Sequence, residues 1–270
     1  MDYYKYKEYK DFKKSLIDNK ESFEVSETNY TAKVKFNDTI SMYNKDGRPN
    51  NQLLTLINKV RQHNKGKIEK EVEGIDYFKL FQFPKKPVDC FKIDLSAAYW
   101  TAGLIKNVIT PEMDEKVEMA RFYDENNKRI WNEKLIIKQK KNLKLVSMGS
   151  LATTKTKIIY NEGIEIDRIP TTQDTKNVYL GIHKFVDDIM KDISNRYECH
   201  YYYFDCFFTK DKRVIDAIKE YGFNCTVEKS RIKVEGTLGM EEIFVHDLIS
   251  GIRYNVKKED YIWTQTLTQT

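Results

Sequence analysis

FKIDLSAAYWTAGLIKNVITPEM, residues 91–113, decides how the rest of the chain is read. Its first five residues, FKIDL, are β-prone and read as a strand. AAYWTAGLIKNV (97–108) then reads as a helix that ends before Thr110 and Pro111. One carboxylate, Asp94, closes the strand just ahead of that helix. A second β-prone run, HYYYFDCFF (200–208), carries Asp205. A carboxylate inside such a run is costly unless it is paired or binds a cation. If the two strands are neighbours, the acids converge. Two carboxylates from adjacent strands are the minimum scaffold for Mg²⁺, a hard ion that takes oxygen ligands together with substrate phosphates.

The pattern to either side sets the fold class. QLLTLINKVRQHN (52–64) repeats Leu53, Leu56, Ile57 and Val60 at helical spacing. LGIHKFVDDIMKDISNRY (180–197) places Ile182, Phe185, Val186, Ile189, Ile193 and Tyr197 on one helical face. Residues 1–25 read as helical, with Tyr3, Tyr6, Phe12, Leu16 and Ile17 near that spacing. YTAKVKF (30–36), the end of KIEKEVEGIDYFKLFQF, KIIY (157–160) and IEIDRI (164–169) read as strands, the last two joined by a turn at 161–163. Turns are expected at 44–51 and 124–128, and charged helix over much of 112–146. A helix at 211–221 and a hairpin at 223–236 follow, then an apolar helix or strand pair and a polar TQTLTQT end. Strands and helices do not alternate regularly. The order therefore favours an α+β fold, an antiparallel sheet covered by helices on one face.

Composition narrows the function classes. The 14 Phe, 18 Tyr and 3 Trp supply enough apolar surface for a core despite 32% charged residues, which argues against wholesale disorder. No run reaches the ~20 apolar residues of a membrane span, so no membrane partner is expected. The N-terminus, MDYYKYKEYKDFKK, lacks the apolar stretch of a secretory signal. Cys90, Cys199, Cys206 and Cys225 show no CxxC spacing and read as reduced thiols in a cytosol. His63, His183, His200 and His246 show no metal-ligand spacing. A net charge of +5 permits a polyanionic partner without requiring one. Lys138, Lys140, Lys141 and Lys144 are the densest basic cluster, either a nucleic-acid contact or a solvated helix face.

With those residues in place, a family resemblance emerges over about residues 88–236. IDLSAAYWTAGLIKNVITPEM (93–113) resembles motif A of family B DNA polymerases, a D-L-x-S-L-Y pattern followed by N-I-S-P-E, through Asp94, Leu95, Tyr99 and Asn107 to Glu112. LKLVSMGSLATTK (143–155) resembles motif B through Lys144 and Leu145, with Met148, Leu151 and Ala152 where the family has Asn, Tyr and Gly. YYYFDCFF (201–208) resembles motif C. Asp205 stands at its second acid, Tyr203 replaces the first acid, and Cys206 replaces the Ser. The protein-primed viral branch is nearest in spacing. Tyr203-Phe204-Asp205-Cys206 is also similar to the Y-x-D-D box of reverse transcriptases with its last acid lost.

The resemblance implies a palm-like antiparallel sheet with a short helical fingers insertion. It implies Asp94 and Asp205 as catalytic metal ligands with the Leu95 main chain, binding Mg²⁺ or Mn²⁺. Ser96, Tyr99 and Lys144 would bind the nucleotide, Tyr99 as a gate against a 2′-hydroxyl, and Lys138, Lys140 and Lys141 would bind nucleic acid. The corresponding division is 1–87 of unknown role, palm at 88–111, fingers at 112–156, palm again at 157–236, and a C-terminal extension at 237–270. The expected function is template-directed nucleotidyl transfer on a DNA primer-template with dNTPs, in a host cytoplasm or virion. A second chain would supply the thumb or exonuclease, and a viral protein is a further partner. The alternative is an inactive polymerase-like protein that binds nucleic acid or serves in assembly.

Overall fold

The computed structural model describes residues 3–28, 31–44, 51–67, 72–82, 84–124, 128–153, 155–171, 175–236 and 243–256. The centre of the expected 44–51 turn, the centre of the 124–128 turn and the TQTLTQT end lie outside them. The fold is α+β with two largely antiparallel sheets, and the chain divides into two compact units. The first comprises Met1–Lys70 and Asn107–Leu180, the second Glu71–Lys106 and Gly181–Thr270.

In chain order, β1 (Tyr3–Lys5), α1 (Tyr6–Asp18), β2 (Phe23–Glu27), β3 (Thr31–Phe36), β4 (Thr39–Asn44) and α2 (Asn51–Asn64) belong to the first unit. The second receives β5 (Phe78–Leu80), β6 (Val88–Leu95) and α3 (Ala98–Ile105). The first then takes α4 (Pro111–Glu118), α5 (Glu133–Gly149), β7 (Lys155–Asn161) and β8 (Ile164–Thr171). Helix α6 (Lys176–Arg196) lies in the second unit from residue 181 on. It is followed there by β9 (Cys199–Tyr203), β10 (Cys206–Thr209), α7 (Arg213–Glu220), β11 (Cys225–Glu235), β12 (Ile243–Asp247) and β13 (Arg253–Val256).

The first sheet runs β1-β4-β3-β2-β7-β8. Tyr9 and Leu16 of α1 are buried in one cluster with Phe23, Val25, Ala32, Val34, Ile158 and Tyr160, so the helix covers one face of this sheet. The β7–β8 hairpin turns through Glu162 (φ 50°) and Gly163 (φ 77°), the two positive-φ centres of a type I′ turn. A Cβ on Gly163 would sit 2.4 Å from the Ile17 carbonyl oxygen. Gly163→Ala is therefore expected to cost more than about 1 kcal/mol, read as a lower urea midpoint at unchanged m-value.

The second sheet runs β13-β12-β11-β6-β10-β9-β5. Register places Phe91, Ile93 and Leu95 with Phe207 and Tyr202 on one face. Helices lie on that face: the Tyr202 hydroxyl donates to Asp187 of α6, and the Lys212 ammonium at the start of α7 lies 4.7 Å from the Phe91 ring. The opposite face buries Cys90, Tyr201, Cys206, Phe208, Ile232, Val234, Ile243 and Val245 in a core of its own. No helix is needed to close it, because the sheet curls. Tyr254 on β13 lies 5.1 Å from Tyr203 on β9 and 5.8 Å from Phe208 on β10. In a flat sheet, strands four or five places apart would be roughly 20 Å apart.

Several expectations are corrected here. Residues 155–171 pair with β2 in the first sheet, so 157–236 is not one palm segment. Part of the 1–87 region joins the second sheet as β5, and the C-terminal extension adds β12 and β13 to it. HYYYFDCFF is not one strand but a hairpin, β9 and β10, turning at Phe204-Asp205. The hairpin expected at 223–236 is a single strand, β11: no glycine or proline interrupts CTVEKSRIKVE, and its two ends pair with β6 and β12.

Candidate active site

The site is built where two strands of the second sheet end together. Strand β6 pairs with β10, with Cys206 opposite Asp94. One residue further, the Leu95 amide donates to the Asp205 carbonyl at 2.9 Å. Asp94 and Asp205 are therefore neighbours across a strand pair, and both are half-buried. Alternation explains Asp94: Ile93 and Leu95 go to the helix-covered face, so Asp94 goes to the concave one. Asp205 owes its place to the β9–β10 turn. It does not lie inside a strand, so the cost of a carboxylate within a buried strand does not apply to it.

That turn is strained. Phe204 has φ 52°, a conformation that two-residue hairpins normally give to glycine or asparagine. Its amide donates to the Tyr77 carbonyl, and its ring packs 4.9 Å from Tyr77 and 4.6 Å from Tyr203. On the other side of Asp94, Ala97 caps α3 at φ 49°. A left-handed non-glycine residue thus stands beside each acid, held by surrounding contacts. Such outliers concentrate at functional sites.

The acids set the local electrostatics. Burial pushes the Cys206 thiol well above the ordinary range, and the charges of Asp94 and Asp205 push it further. The thiol stays protonated, so it offers no thiolate to a soft metal. Burial also raises Tyr254 to about 12, with Asp94 among the charges that reinforce it. Lys92, two residues before Asp94 on the same face, lies 3.9 Å from Glu228. Carboxylates and main-chain oxygens are the hard donor type that Mg²⁺ or Mn²⁺ takes. Among the described residues, no group of three or more His, Cys, Asp or Glu side chains is arranged to hold a metal ion.

The second unit also holds Leu95, Ser96 and Tyr99. The Ser96 amide donates to the Asn224 carbonyl at 2.8 Å, and its own carbonyl accepts from Thr101. Tyr99 leaves the site on the first turn of α3 and stacks on the His183 imidazole at 4.1 Å and 22°. Tyr77 meets the same imidazole edge-on at 5.6 Å. Trp100 is buried, and Tyr203 packs inside the curl against Phe78 and Tyr254.

The lysines belong to the first unit. Lys144 on α5 pairs with Asp114 at 3.2 Å and Glu118 at 3.0 Å on α4, and Lys140 pairs with Glu118 at 2.8 Å. These two hold α4 against α5. Lys138 and Lys141 are exposed. Met148 and Leu151, at the altered motif B positions, are core residues.

Tyr77, His183 and Phe204 stand beside the acids and Tyr99 without a sequence signal that assigns them there. Phe204 sent no turn signal, since phenylalanine is not a turn former. His183 sits on the apolar stripe of α6, and that inward position was the available clue. No helix among the described residues is long and apolar enough to cross a membrane. Comparison of the chain with family models, with curated proteins and with solved structures finds no match.

Proposed function

We propose that the second unit is a metal-dependent nucleotidyltransferase core that extends a DNA 3′ end on a template. One observation carries this reading. The acids of the motif A-like and motif C-like segments, 111 positions apart in the chain, end neighbouring strands with Cys206 opposite Asp94. Asp94 and Asp205 would hold the divalent ions with main-chain oxygen from Leu95. Those ions would supply the charge that activates a 3′-hydroxyl and offsets the charge of the leaving pyrophosphate. The Ser96–Ala97 turn would present main chain to the triphosphate. Tyr99, fixed by its stack on His183, would present an edge to the sugar.

The test is primer extension by the full chain, over DNA and RNA templates and with Mg²⁺ or Mn²⁺. Templated incorporation is the expected result. None under any of these conditions removes the reading.

A second reading is favoured by the ion pairs of Lys144 and the apolar Met148 and Leu151. These residues supply structure where the family resemblance implies nucleotide contacts. In this reading the chain binds nucleic acid, or a viral partner, without chemistry. It predicts DNA binding that weakens steeply with salt and persists with no incorporation.

A further inference from the structure

The first unit carries a groove of about 460 Å³. Its walls are α2, α4, Leu143 of α5, and residues 119–121 after α4. The floor is apolar: Leu56, Val117 and Leu143 are buried beneath it, and Met119 is 71% exposed. The charged lining residues are all cationic: Lys59 from α2, Lys116 from α4, and Arg121.

Lys59 and Lys116 line the same groove, and the Lys116 charge holds the Lys59 pKa below the ordinary lysine value. Like charges brought together across a groove repel, and a multiply charged anion between them turns that repulsion into attraction. Adjacent cations suit a ligand with several negative charges on neighbouring atoms, as in a phosphate chain. Carboxylates spaced along a peptide suit them less well. An apolar floor beside the cations adds a surface for a flat ring, and the volume lies within the range of small-molecule sites.

We propose that this groove binds a nucleotide, with its base against the apolar lining at Met119 and Ala120 and its phosphates between Lys59, Lys116 and Arg121. The site lies wholly within the first unit. It therefore stands whether or not Asp94 and Asp205 are catalytic.

The test is calorimetric titration of the full chain with ATP. A chelator keeps metal-dependent binding at the acid pair silent. Tripolyphosphate and adenosine are titrated separately. ATP is expected to bind saturably, with adenosine and tripolyphosphate each at least about tenfold weaker. Lys59→Ala and Lys116→Ala are each expected to weaken ATP about tenfold, the scale of one charge-assisted hydrogen bond. The exposed Lys86→Ala of the second unit serves as the control and should leave binding unchanged. Far-UV circular dichroism checks that the variants fold. Three results overturn the proposal: no saturable ATP binding at millimolar concentration, tripolyphosphate binding as tightly as ATP, or a Lys59→Ala/Lys116→Ala double variant within about threefold of wild type.

Discussion

Asp94→Asn and Asp205→Asn are each expected to lower templated incorporation by at least about 10³-fold while leaving the melting temperature within a few degrees. The size of the activity loss follows from the divalent ion that the carboxylates would hold under the proposed function. A divalent ion at a developing phosphoryl charge is worth several kcal/mol, and each 1.36 kcal/mol is tenfold in rate. The small stability effect follows from where the two acids sit. Asp205 lies at a hairpin turn, and its carbonyl, not its side chain, closes the ladder to Leu95. Asp94 occupies the concave face beside Cys206, and its charge disfavours ionisation of the neighbouring thiol and phenol. Asparagine keeps the shape and hydrogen-bonding capacity and removes the charge. Groups kept for chemistry at a cost to the fold behave this way when neutralised. If either variant retains wild-type incorporation, the acid pair is not the catalytic centre. A large loss of stability in both would mean that the carboxylates support the fold.

Legibility followed the range of the interaction. Helices α2 and α6 were plain because their apolar residues repeat at 3–4 over many residues, which is local information. The sequence leaves the adjacency of β6 and β10 as a condition for the two acids to converge, and the strands do pair. Sheet membership was not legible. Nothing in KTKIIYN or IEIDRIPT says that they pair beside Phe23–Glu27 and not beside the HYYYFDCFF run, since a strand's pattern gives its faces and not its neighbours. The turn at Phe204-Asp205 was hidden because Phe204 pays a conformational cost that tertiary contacts with Tyr77 and Tyr203 offset. The curl that brings Tyr254 over Tyr203 was hidden for the same reason: it is set by side chains that meet across five strand positions. The basic groove is not legible because Lys59 lies 57 positions before Lys116 (116 − 59), and only the fold brings α2 beside α4. Lys59, Lys116 and Arg121 never form a cluster in the one-dimensional text, whereas Lys138 to Lys144 do, and two of those four hold α4 to α5.

Acidification should expose the second large effect, centred on His183. Burial lowers its pKa from the usual 6.5 to about 4, and its ring lies between Tyr99 and Tyr77. In the unfolded chain the imidazole takes up a proton near pH 6.5, while in the folded chain it resists until about pH 4. The unfolded state therefore binds more protons throughout that window, and linkage requires stability to fall as pH falls. The contribution of the neutral ring is complete above pH 6.5, declines between 6.5 and 4, and levels off below. At 1.36 kcal/mol per pH unit, the loss across the window is about 3 kcal/mol. Carboxylates with lowered pKa values, Glu118, Asp211 and Asp247 among them, add their own losses only at lower pH, below the ordinary carboxylate range. His183→Phe isolates the effect, because phenylalanine preserves an aromatic surface for Tyr99 and has nothing to titrate. Urea unfolding at a series of pH values should show the wild type losing more stability than His183→Phe from pH 6.5 downward, while His200, whose pKa burial also lowers, gives both proteins a shared slope. Parallel profiles for the two proteins would mean that the imidazole is not held neutral by its surroundings.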